Sequence, residues 1–495
     1  MLRILGSPKS LCDGSTRREL LLAGGLSLLG ASTGNAIPAP MVNSNLGKSF
    51  GSAKNVIVLY LFGGPSQLET FDMKPDAPAE IRGAFKPIFT SLHGLNINEH
   101  LPKVAKIMDR TTVVRSLTHP WNFHGMQWAT TGLPQGSIPV EETQKHAQHW
   151  PYLGSVISYL EQQKQGPKSQ GNIPNNVILP WLLSSRRPAA FYARPHGASL
   201  GHQYDPIWTS FRGTATRSMV RMSNGPAENI ADPYLGITPE SRFEFFGDPD
   251  TGADVTLDRL SKRKGLLEQL ELANLKFDKS NEGQRHNRQR QLAFDLVGSL
   301  KVRNALDLAR EPASLRESYG MTLFGQGALQ ARRLVEAGCN FVTVIWDEVG
   351  QLNAGWDTHV DHKNRMKNDL LPGFDAAFSA LILDLEQRGL LDSTLVWVAS
   401  EMGRTPKMEN NGDGRGHWGR AYCNILAGAG VKRGNIVGRT DRLAAEVTDR
   451  PLSAKDILAT IYHLIGVNAE TTVIDKLNRK TNLLPYGELV REILS

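Results

Sequence analysis

Six short runs of β-branched and aliphatic residues constrain the fold of this chain more than any other feature. They are NVIVLYL (55–61), TTVVRSL (111–117), NVILP (176–180), CNFVTVIW (339–346), STLVWVAS (393–400) and CNILAGA (423–429). Continuous apolar runs of this length are typical of strands that are buried on both faces of a sheet. The chain is therefore predicted to build its core around a covered sheet.

Helical patterns lie between these runs, at 150–164, 317–337, 366–389 and 454–465. The second of them contains ALQARRLVEAG, which ends on a glycine of the kind that terminates helices. This alternation predicts an α/β fold with a mostly parallel sheet and helices on both faces. In such sheets, functional groups collect beyond the C-terminal ends of the strands.

The N-terminal region has the layout of a twin-arginine export signal. Arg17 and Arg18 precede a short apolar run that begins at Leu20 and is followed by small residues. The run is shorter than the roughly 20 residues of a membrane span, although an uncleaved N-terminal anchor remains the alternative. We therefore predict a signal peptide at 1–36, recognised by the twin-arginine export machinery, and a periplasmic, envelope or extracellular protein.

The rest of the chain is predicted to be a linker at 37–50 and one large domain at 51–495. Within it, 181–254 is rich in Pro, Gly, Arg and aromatic residues without clear periodicity, which predicts long loops that cover the sheet. The segment 256–311 is polar with a helical pattern, which predicts a helical insertion. No later segment is apolar enough to span a bilayer once the signal is removed.

Composition narrows the function classes. The chain has 495 residues, 40% of them hydrophobic, and a formal net charge of +7. The positive charges are scattered and form no basic stripe with interleaved aromatic residues, which argues against nucleic-acid binding. Cys339 and Cys423 remain in the mature chain without metal-type spacing, and we expect two buried free thiols.

Acidic residues follow the first predicted strand. Gly63 and Gly64 allow the backbone to turn sharply, and Glu69 and Asp72 come shortly after that turn. These carboxylates are candidate metal ligands. The alternative is ordinary turn chemistry around DMKPDAP.

Hydroxyl, imidazole and amide groups follow the second predicted strand. Thr118, His119, Asn122 and His124 lie immediately beyond its end, before a short predicted helix. The free N–H groups of a helix N-terminus there could bind an anion. Two histidines this close to a strand end favour a functional role over a purely structural one.

Two further strand ends carry metal-ligand and cationic residues. Asp357 and His359 follow the run at 339–346 and suit a divalent metal. The segment after 393–400 begins with an acid and continues through a Gly-rich loop; its candidate residues are Glu401, Arg404, Lys407, Arg415 and His417. Together the four strand ends predict one polar pocket, and the alternative is a salt-bridge network that fixes long loops.

Five segments in order carry a resemblance to a known family: LFGGPSQLETFDMKP, VRSLTHPWNFHGMQWATTG, YGMTLFGQGALQARRLVEAGCNFVTV, GWDTH and SEMGRTPK…GRGHWGR. From about residue 50 to 490 the chain resembles the exported bacterial family called domain of unknown function 1501. That family looks like a branch of the alkaline phosphatase and sulfatase superfamily. The resemblance implies an alkaline-phosphatase-like three-layer sandwich with a metal site at the strand ends.

The resemblance also implies a set of ligands for a divalent metal, which could be Zn, Mn or Ca. The set comprises Asp357, His359, Glu401 and His417, together with Glu69 or Asp72. The chain departs from the superfamily at Met402, where a histidine would be expected, and it lacks the CxPSR-type segment of formylglycine sulfatases. One metal site could be built, whereas a two-metal site is not supported.

Two chemical routes remain open from the residues. Thr118 could act as a nucleophile beside a metal, or metal-activated water could attack the ester directly with His124 or His119 as general acid. The predicted substrate-binding residues are Asn122, Arg404, Lys407 and Arg415.

Three function classes follow. The first is an exported metal-dependent hydrolase of phosphate or sulfate esters, which acts on an anionic ester or a polysaccharide. The second is a carbohydrate- or anion-binding protein that has lost catalysis. The third is an assembly component of an envelope complex.

Overall fold

A computed structural model describes residues 47–132, 138–146, 149–165, 173–187, 192–220, 228–245, 299–409, 412–468, 470–474, 479–484 and 487–495. The predicted signal peptide, most of the predicted linker and most of the predicted helical insertion lie outside these residues. Among the described helices, none combines the length and apolar character that crossing a bilayer requires.

The described residues contain nineteen strands, and all six predicted ones are present. In chain order they are β1 Asn55–Leu61, β2 Pro87–Phe89, β3 Asn96–Asn98, β4 Thr111–Leu117, β5 Asn176–Leu179, β6 Ile207–Arg212, β7 Ser218–Val220, β8 Asn229–Ala231, β9 Arg242–Phe245, β10 Phe341–Trp346, β11 Thr394–Ala399, β12 Gly403–Arg404, β13 His417–Trp418, β14 Tyr422–Gly428, β15 Asn435–Val437, β16 Arg439–Thr440, β17 Val447–Asp449, β18 Thr472–Ile474 and β19 Lys480–Asn482.

Nine of these strands form one central sheet in the order β15-β4-β14-β11-β1-β10-β5-β6-β9. Strand β1 lies in the middle and runs parallel to both β10 and β11. The pairs β10–β5, β5–β6 and β15–β4 are also parallel. Strand β14 is antiparallel to β11 and to β4, and β9 is antiparallel to β6.

Because β14 runs opposite to both of its neighbours, β4 points in the same direction as β11. The C-terminal ends of β1, β4, β10 and β11 therefore meet at one edge of the sheet. These are the four strands whose following segments carry the candidate residues.

The described helices are α1 Ala79–Arg82, α2 Pro102–Ala105, α3 Met126–Thr131, α4 Ile138–Glu141, α5 Leu153–Gln165, α6 Leu300–Leu306, α7 Ala313–Ser318, α8 Leu323–Glu336, α9 His362–Arg365, α10 Leu371–Gln387 and α11 Ala454–Leu464. A π-helical turn at Met366–Leu370 joins α9 to α10. All four predicted helices are therefore present, with shifted ends.

The sheet separates two hydrophobic clusters, because successive side chains of β1 belong alternately to one cluster and to the other. Ile57, Leu59 and Leu61 pack in one cluster together with residues of α8 and α10. Val56, Val58 and Tyr60 pack in the other, with residues of α5 and α11. Successive side chains of a strand point to opposite faces, so both faces are covered and the fold has three layers, as predicted.

The segment 181–254 differs from its prediction as loops, because it contains β6, β7, β8 and β9. Strands β6 and β9 extend the central sheet. Strand β6, IWTSFR, mixes polar and apolar residues and is mostly half-buried. It therefore lacks the continuous apolar run that identified the inner strands.

Cys339 and Cys423 are free thiols, as expected. Cys339 is buried, whereas Cys423 on β14 is only partly buried.

Candidate metal and catalytic site

A glycine turn at the end of β1 sets the floor of the site. Gly63 and Gly64 have φ angles of 110° and 86°, in the region that favours glycine. A Cβ atom on Gly63 would lie 2.5 Å from the backbone nitrogen of Asp357. The missing side chain therefore lets the segment after β10 approach the end of β1.

Glu401, just beyond β11, is fully buried and accepts several hydrogen bonds. Its Oε1 accepts from the Gly63 N–H at 2.8 Å and lies 3.0 Å from Nδ1 of His124. Its Oε2 accepts from the Tyr60 hydroxyl at 3.0 Å. Burial alone would raise the pKa of this carboxyl, but hydrogen bonding to His124 and the charge of that imidazole lower it.

His124 connects Glu401 to Asp357. Its Nε2 lies 3.2 Å from Oδ2 of Asp357, and its ring stacks on Phe62 with the centroids 5.0 Å apart. Both ring nitrogens therefore face carboxylate oxygens, which suits a doubly protonated imidazolium. Burial lowers the pKa of His124, but the two carboxylates outweigh burial and raise it to about 9.

Asp357, His359 and His417 bring three donor atoms together. The Nε2 atoms of the two histidines are 2.9 Å apart, and each lies 3.1 Å from Oδ1 of Asp357. His124, Asp357 and His417 also form a set whose ligand atoms lie within 4.8 Å of one another. Two nitrogens bound to one zinc at about 2.0–2.1 Å would be roughly 3.3 Å apart in a tetrahedral site, close to the observed spacing.

The tautomer of His417 favours metal binding. Its Nδ1 lies 3.1 Å from the backbone oxygen of Asn122 and donates to it, which leaves the Nε2 lone pair facing Asp357. Burial and the charge of His124 lower the pKa of His417 to about 4, so this ring is neutral at pH 7. The guanidinium of Arg404, which donates to Oδ1 of Asp357, already places one positive charge beside this lone pair. A neutral imidazole with its lone pair toward a carboxylate is also a donor set that fits a divalent metal.

The Gly-rich loop places His417 in the cluster. Strands β12 and β13 pair antiparallel, which sets Arg404 opposite His417. A Cβ atom on Gly414 would lie 1.7 Å from the backbone oxygen of His359, so only glycine allows the loop to pack there. The loop thus fixes His359 and His417 against each other.

The two predicted anion-binding arginines are used within the protein. Arg404 donates to the backbone oxygens of Gly63 and Gly64 and to Asp357, with its Nε 2.9 Å from the Gly64 oxygen. Arg415 donates to Glu69 and to three backbone oxygens, those of Thr405, Pro406 and Ile81. Both side chains are fully buried. They position the loops, which differs from the predicted substrate-binding role.

Glu69 and Asp72 also have other partners. Glu69 binds Arg415 and Ser66 and lies 3.4 Å from Nε2 of His362. Asp72 is held by Lys74, Arg115 and Thr440. Neither belongs to the group of possible ligands among the described residues, which is His124, Asp357 and His417, so their role as metal ligands stays a prediction. The same holds for Glu401, whose oxygens position His124.

The remaining predicted residues lie around the cluster. His119 is bonded through both ring nitrogens to backbone groups, the Glu401 oxygen at 2.7 Å and the Trp121 nitrogen at 3.2 Å. Burial lowers the pKa of His119, so this ring, unlike His124, carries no second proton to transfer. Asn122 holds His417 through its backbone and Gly419 through Oδ1. Thr118 lines a separate cavity on the other side of His119. Lys407 is exposed.

Two polar groups near the cluster, the Tyr60 hydroxyl and the Glu348 carboxyl, were not among the candidates predicted from the sequence. The Tyr60 hydroxyl lies inside an otherwise apolar strand, and only its position near the strand end could have drawn attention to it. Glu348 is the second residue after β10 and pairs with Arg187, while burial raises the pKa of Glu348 to about 7. Other acids were chosen as candidates because they follow the end of a strand, and the same reasoning applies to Glu348.

The family model described as "Protein of unknown function (DUF1501)" matches residues 53–494. No curated protein sequence matches the chain.

Three solved structures show similarity to the chain. They are Ps i-CgsB in complex with k-i-k-neocarrahexaose, a sulfatase from Pseudoalteromonas sp. and the phosphonate monoester hydrolase of Agrobacterium radiobacter. Their sequence identities are 11%, 12% and 12%, and their TM-scores are 0.38, 0.35 and 0.35. The matches cover 88%, 84% and 89% of this chain and 76%, 68% and 77% of those chains. At this similarity, neither the activity nor the ligand of these proteins transfers to this chain.

Proposed function

This chain belongs to the DUF1501 family, and we propose from its own site that it is a metal-dependent hydrolase of phosphate or sulfate esters. One observation carries the proposal: Nε2 of His359, Nε2 of His417 and Oδ1 of Asp357 converge within 3.1 Å at the edge of the sheet. Beside them, His124 bridges two carboxylates. A metal site next to a positioned proton donor is a combination that supports ester hydrolysis.

Asp357, His359 and His417 would hold the metal. Two imidazole nitrogens and one carboxylate suit Zn or Mn better than Ca, which prefers a shell of oxygen ligands. The bound metal would supply Lewis acidity toward the ester oxygen and toward water. His124 stays outside this set in the proposal, because its two carboxylate partners raise its pKa to about 9 and a doubly protonated ring has no lone pair for a metal.

Residues of the chain would supply the proton that the leaving group needs. Water would attack phosphorus or sulfur and lose a proton to solvent, while the bond from that atom to the ester oxygen breaks and His124 donates a proton to the leaving alkoxide. Glu401 orients the imidazole, and Tyr60 and Gly63 in turn orient Glu401. Phe62 covers one face of the ring and excludes water from it.

The location and substrate form part of the same proposal. The Arg17–Arg18 leader supports export by the twin-arginine machinery to the periplasm, the cell envelope or the exterior. The substrate would be an anionic ester, carried on a polysaccharide or on a smaller molecule. The proposal includes neither binding to nucleic acid nor a stable membrane span in the mature chain.

Hydrolysis of 4-nitrophenyl phosphate, bis-4-nitrophenyl phosphate and 4-nitrophenyl sulfate by the purified full-length protein tests this. We expect turnover that stops on chelation and returns with Zn or Mn. His417→Ala should lower kcat/KM by about 100-fold or more. The exposed His93 provides the matched control, and His93→Ala should be unchanged. Turnover that survives chelation and His417→Ala would contradict the proposal.

A second candidate is a metal-containing binding protein without catalysis. It is favoured by one observation, the full use of Arg404 and Arg415 inside the fold, which leaves the ester without these two cations. Metal bound with the expected stoichiometry but no turnover of the three esters would favour this candidate.

A further inference from the structure

A separate cavity of about 520 Å³ lies beside the candidate site and is not used by the proposed chemistry. The loop after β4 and the first turn of α11 form its walls. Its volume falls within the range of about 300–1,000 Å³ that is usual for small-molecule sites. Thr118, a catalytic candidate from the sequence, lines this cavity.

One wall of the cavity is a fixed aromatic surface made of His119, Trp121 and Trp128. Trp121 is partly exposed and stacks on His119, with the ring centroids 5.8 Å apart and the planes at 28°. The centroid of Trp128 lies 6.1 Å from that of Trp121. Backbone groups hold both nitrogens of His119, and the Trp128 N–H donates to the Glu401 oxygen, so the rings against which Trp121 packs are held in place before any ligand binds.

The remaining wall is polar and carries charges of both signs. Thr118 and Ser453 contribute hydroxyl groups to the lining. The charged residues are Arg450, Lys455, Asp456 and Glu488, two cations and two anions. Arg450 also pairs with Glu492, and Asp456 accepts from the hydroxyl and N–H of Ser453 at the start of α11. This balance does not suit a bare anion. It suits a neutral molecule with many hydroxyl groups, which needs donors and acceptors on one side and an aromatic face on the other.

The cavity and the candidate metal site share one wall. His119 faces the cavity, and its Nε2 lies 2.7 Å from the backbone oxygen of Glu401, the residue that holds His124. Gly419 packs against His119 and the Trp121 oxygen, and its N–H donates to Asn122, which holds His417. The two sites are therefore neighbours on the same edge of the sheet.

We propose that this cavity is a carbohydrate subsite in which a pyranose ring stacks on Trp121. This inference rests on the proposed function in one respect: a polysaccharide held here would present an ester on an adjacent unit to the metal site. Binding of the sugar itself requires neither the metal nor turnover.

Titration calorimetry of the full-length protein with neutral hexasaccharides of glucan, galactan, mannan and xylan tests the subsite, both with metal and after chelation. We expect at least one to bind with or without metal. Trp121→Ala should weaken that binding about tenfold or more, and Trp121→Phe, which keeps an aromatic face, by about threefold or less. Phe89→Ala, a change at an aromatic residue that is 90% exposed elsewhere, should have no effect.

The possible outcomes separate this inference from the proposed function. Turnover of small esters without binding of any hexasaccharide overturns the subsite and leaves the hydrolase intact. Binding that depends on Trp121, without turnover of any ester, supports the subsite and contradicts the proposed hydrolase function. Binding that is equally strong in Trp121→Ala, or that inorganic sulfate replaces competitively, overturns the subsite.

Discussion

At the scale of single residues, most charged groups around the candidate site hold other parts of the protein in place. Glu69 and Arg415 are the clearest case, because both are buried and each satisfies the other. Removing one partner of such a pair leaves an uncompensated charge in the interior. Their role can therefore be tested through stability, independently of any activity.

Glu69→Gln should destabilise the protein in a pH-dependent way. Burial would raise the pKa of Glu69, but the charges of Arg415 and His362 lower it from 4.5 to about 2. Its contribution is therefore complete above about pH 4.5 and is lost as the pH falls through about 2. At 1.36 kcal/mol per pKa unit, that contribution is on the order of 3 kcal/mol at pH 7.

Urea unfolding between pH 3 and 7 measures this difference. The free energy of unfolding of the wild type should fall more steeply with acidification than that of Glu69→Gln. The exposed Glu80 supplies the control, and Glu80→Gln should change stability by less than about 0.5 kcal/mol. Parallel pH curves for the wild type and Glu69→Gln would show that the pair does not carry this stability.

The residue types predicted several of the side chains that meet at the edge of the sheet. They did not predict which partner each of these side chains binds. Asp357, His359 and His417 were identifiable because ligand-type residues follow strand ends. The roles of Arg404 and Arg415 were not, because a guanidinium can bind either an anion or backbone oxygens. Only the folded chain brings the oxygens of Gly63 and Gly64 to Arg404.

At the scale of elements, the buried strands were predictable because β1, β10 and β11 are mostly apolar on both faces and β4 is rich in β-branched residues. The half-exposed β6 and β9 were not, since their polar residues resemble a loop pattern. The turn after β1 was predictable from its two glycines, whereas its contact with Asp357 depends on the parallel pairing of β1 and β10.

Gly63→Ala tests that contact. The new Cβ would lie 2.5 Å from the Asp357 nitrogen, at a φ of 110°, so we expect a loss of stability on the order of 3 kcal/mol and weaker metal binding. Gly94 also has a positive φ, 83°, but a Cβ atom there would meet no other atom within 4 Å, so Gly94→Ala should cost only about 1 kcal/mol. Denaturant unfolding measures both variants, and equal losses would show that the close approach is unimportant.

At the scale of the whole molecule, the fold brings segments distant in sequence to one edge of a nine-stranded sheet. A metal held by Asp357, His359 and His417 would join the segment after β10 to the Gly-rich loop. Because the metal binds the folded chain, its removal should lower the thermal unfolding temperature, and saturating Zn or Mn should restore it. Differential scanning calorimetry with and without a chelator measures the shift, and the same Tm in both conditions would contradict a structural contribution from the metal.

The central claim is that these three residues bind a divalent metal, and the metal content of the purified full-length protein measured by mass spectrometry tests it most directly. We expect about one equivalent of Zn or Mn in the wild type and in the His93→Ala control, and strong depletion in His359→Ala and in His417→Ala. A wild-type protein that contains no divalent metal and takes none up when Zn or Mn is added would contradict the account.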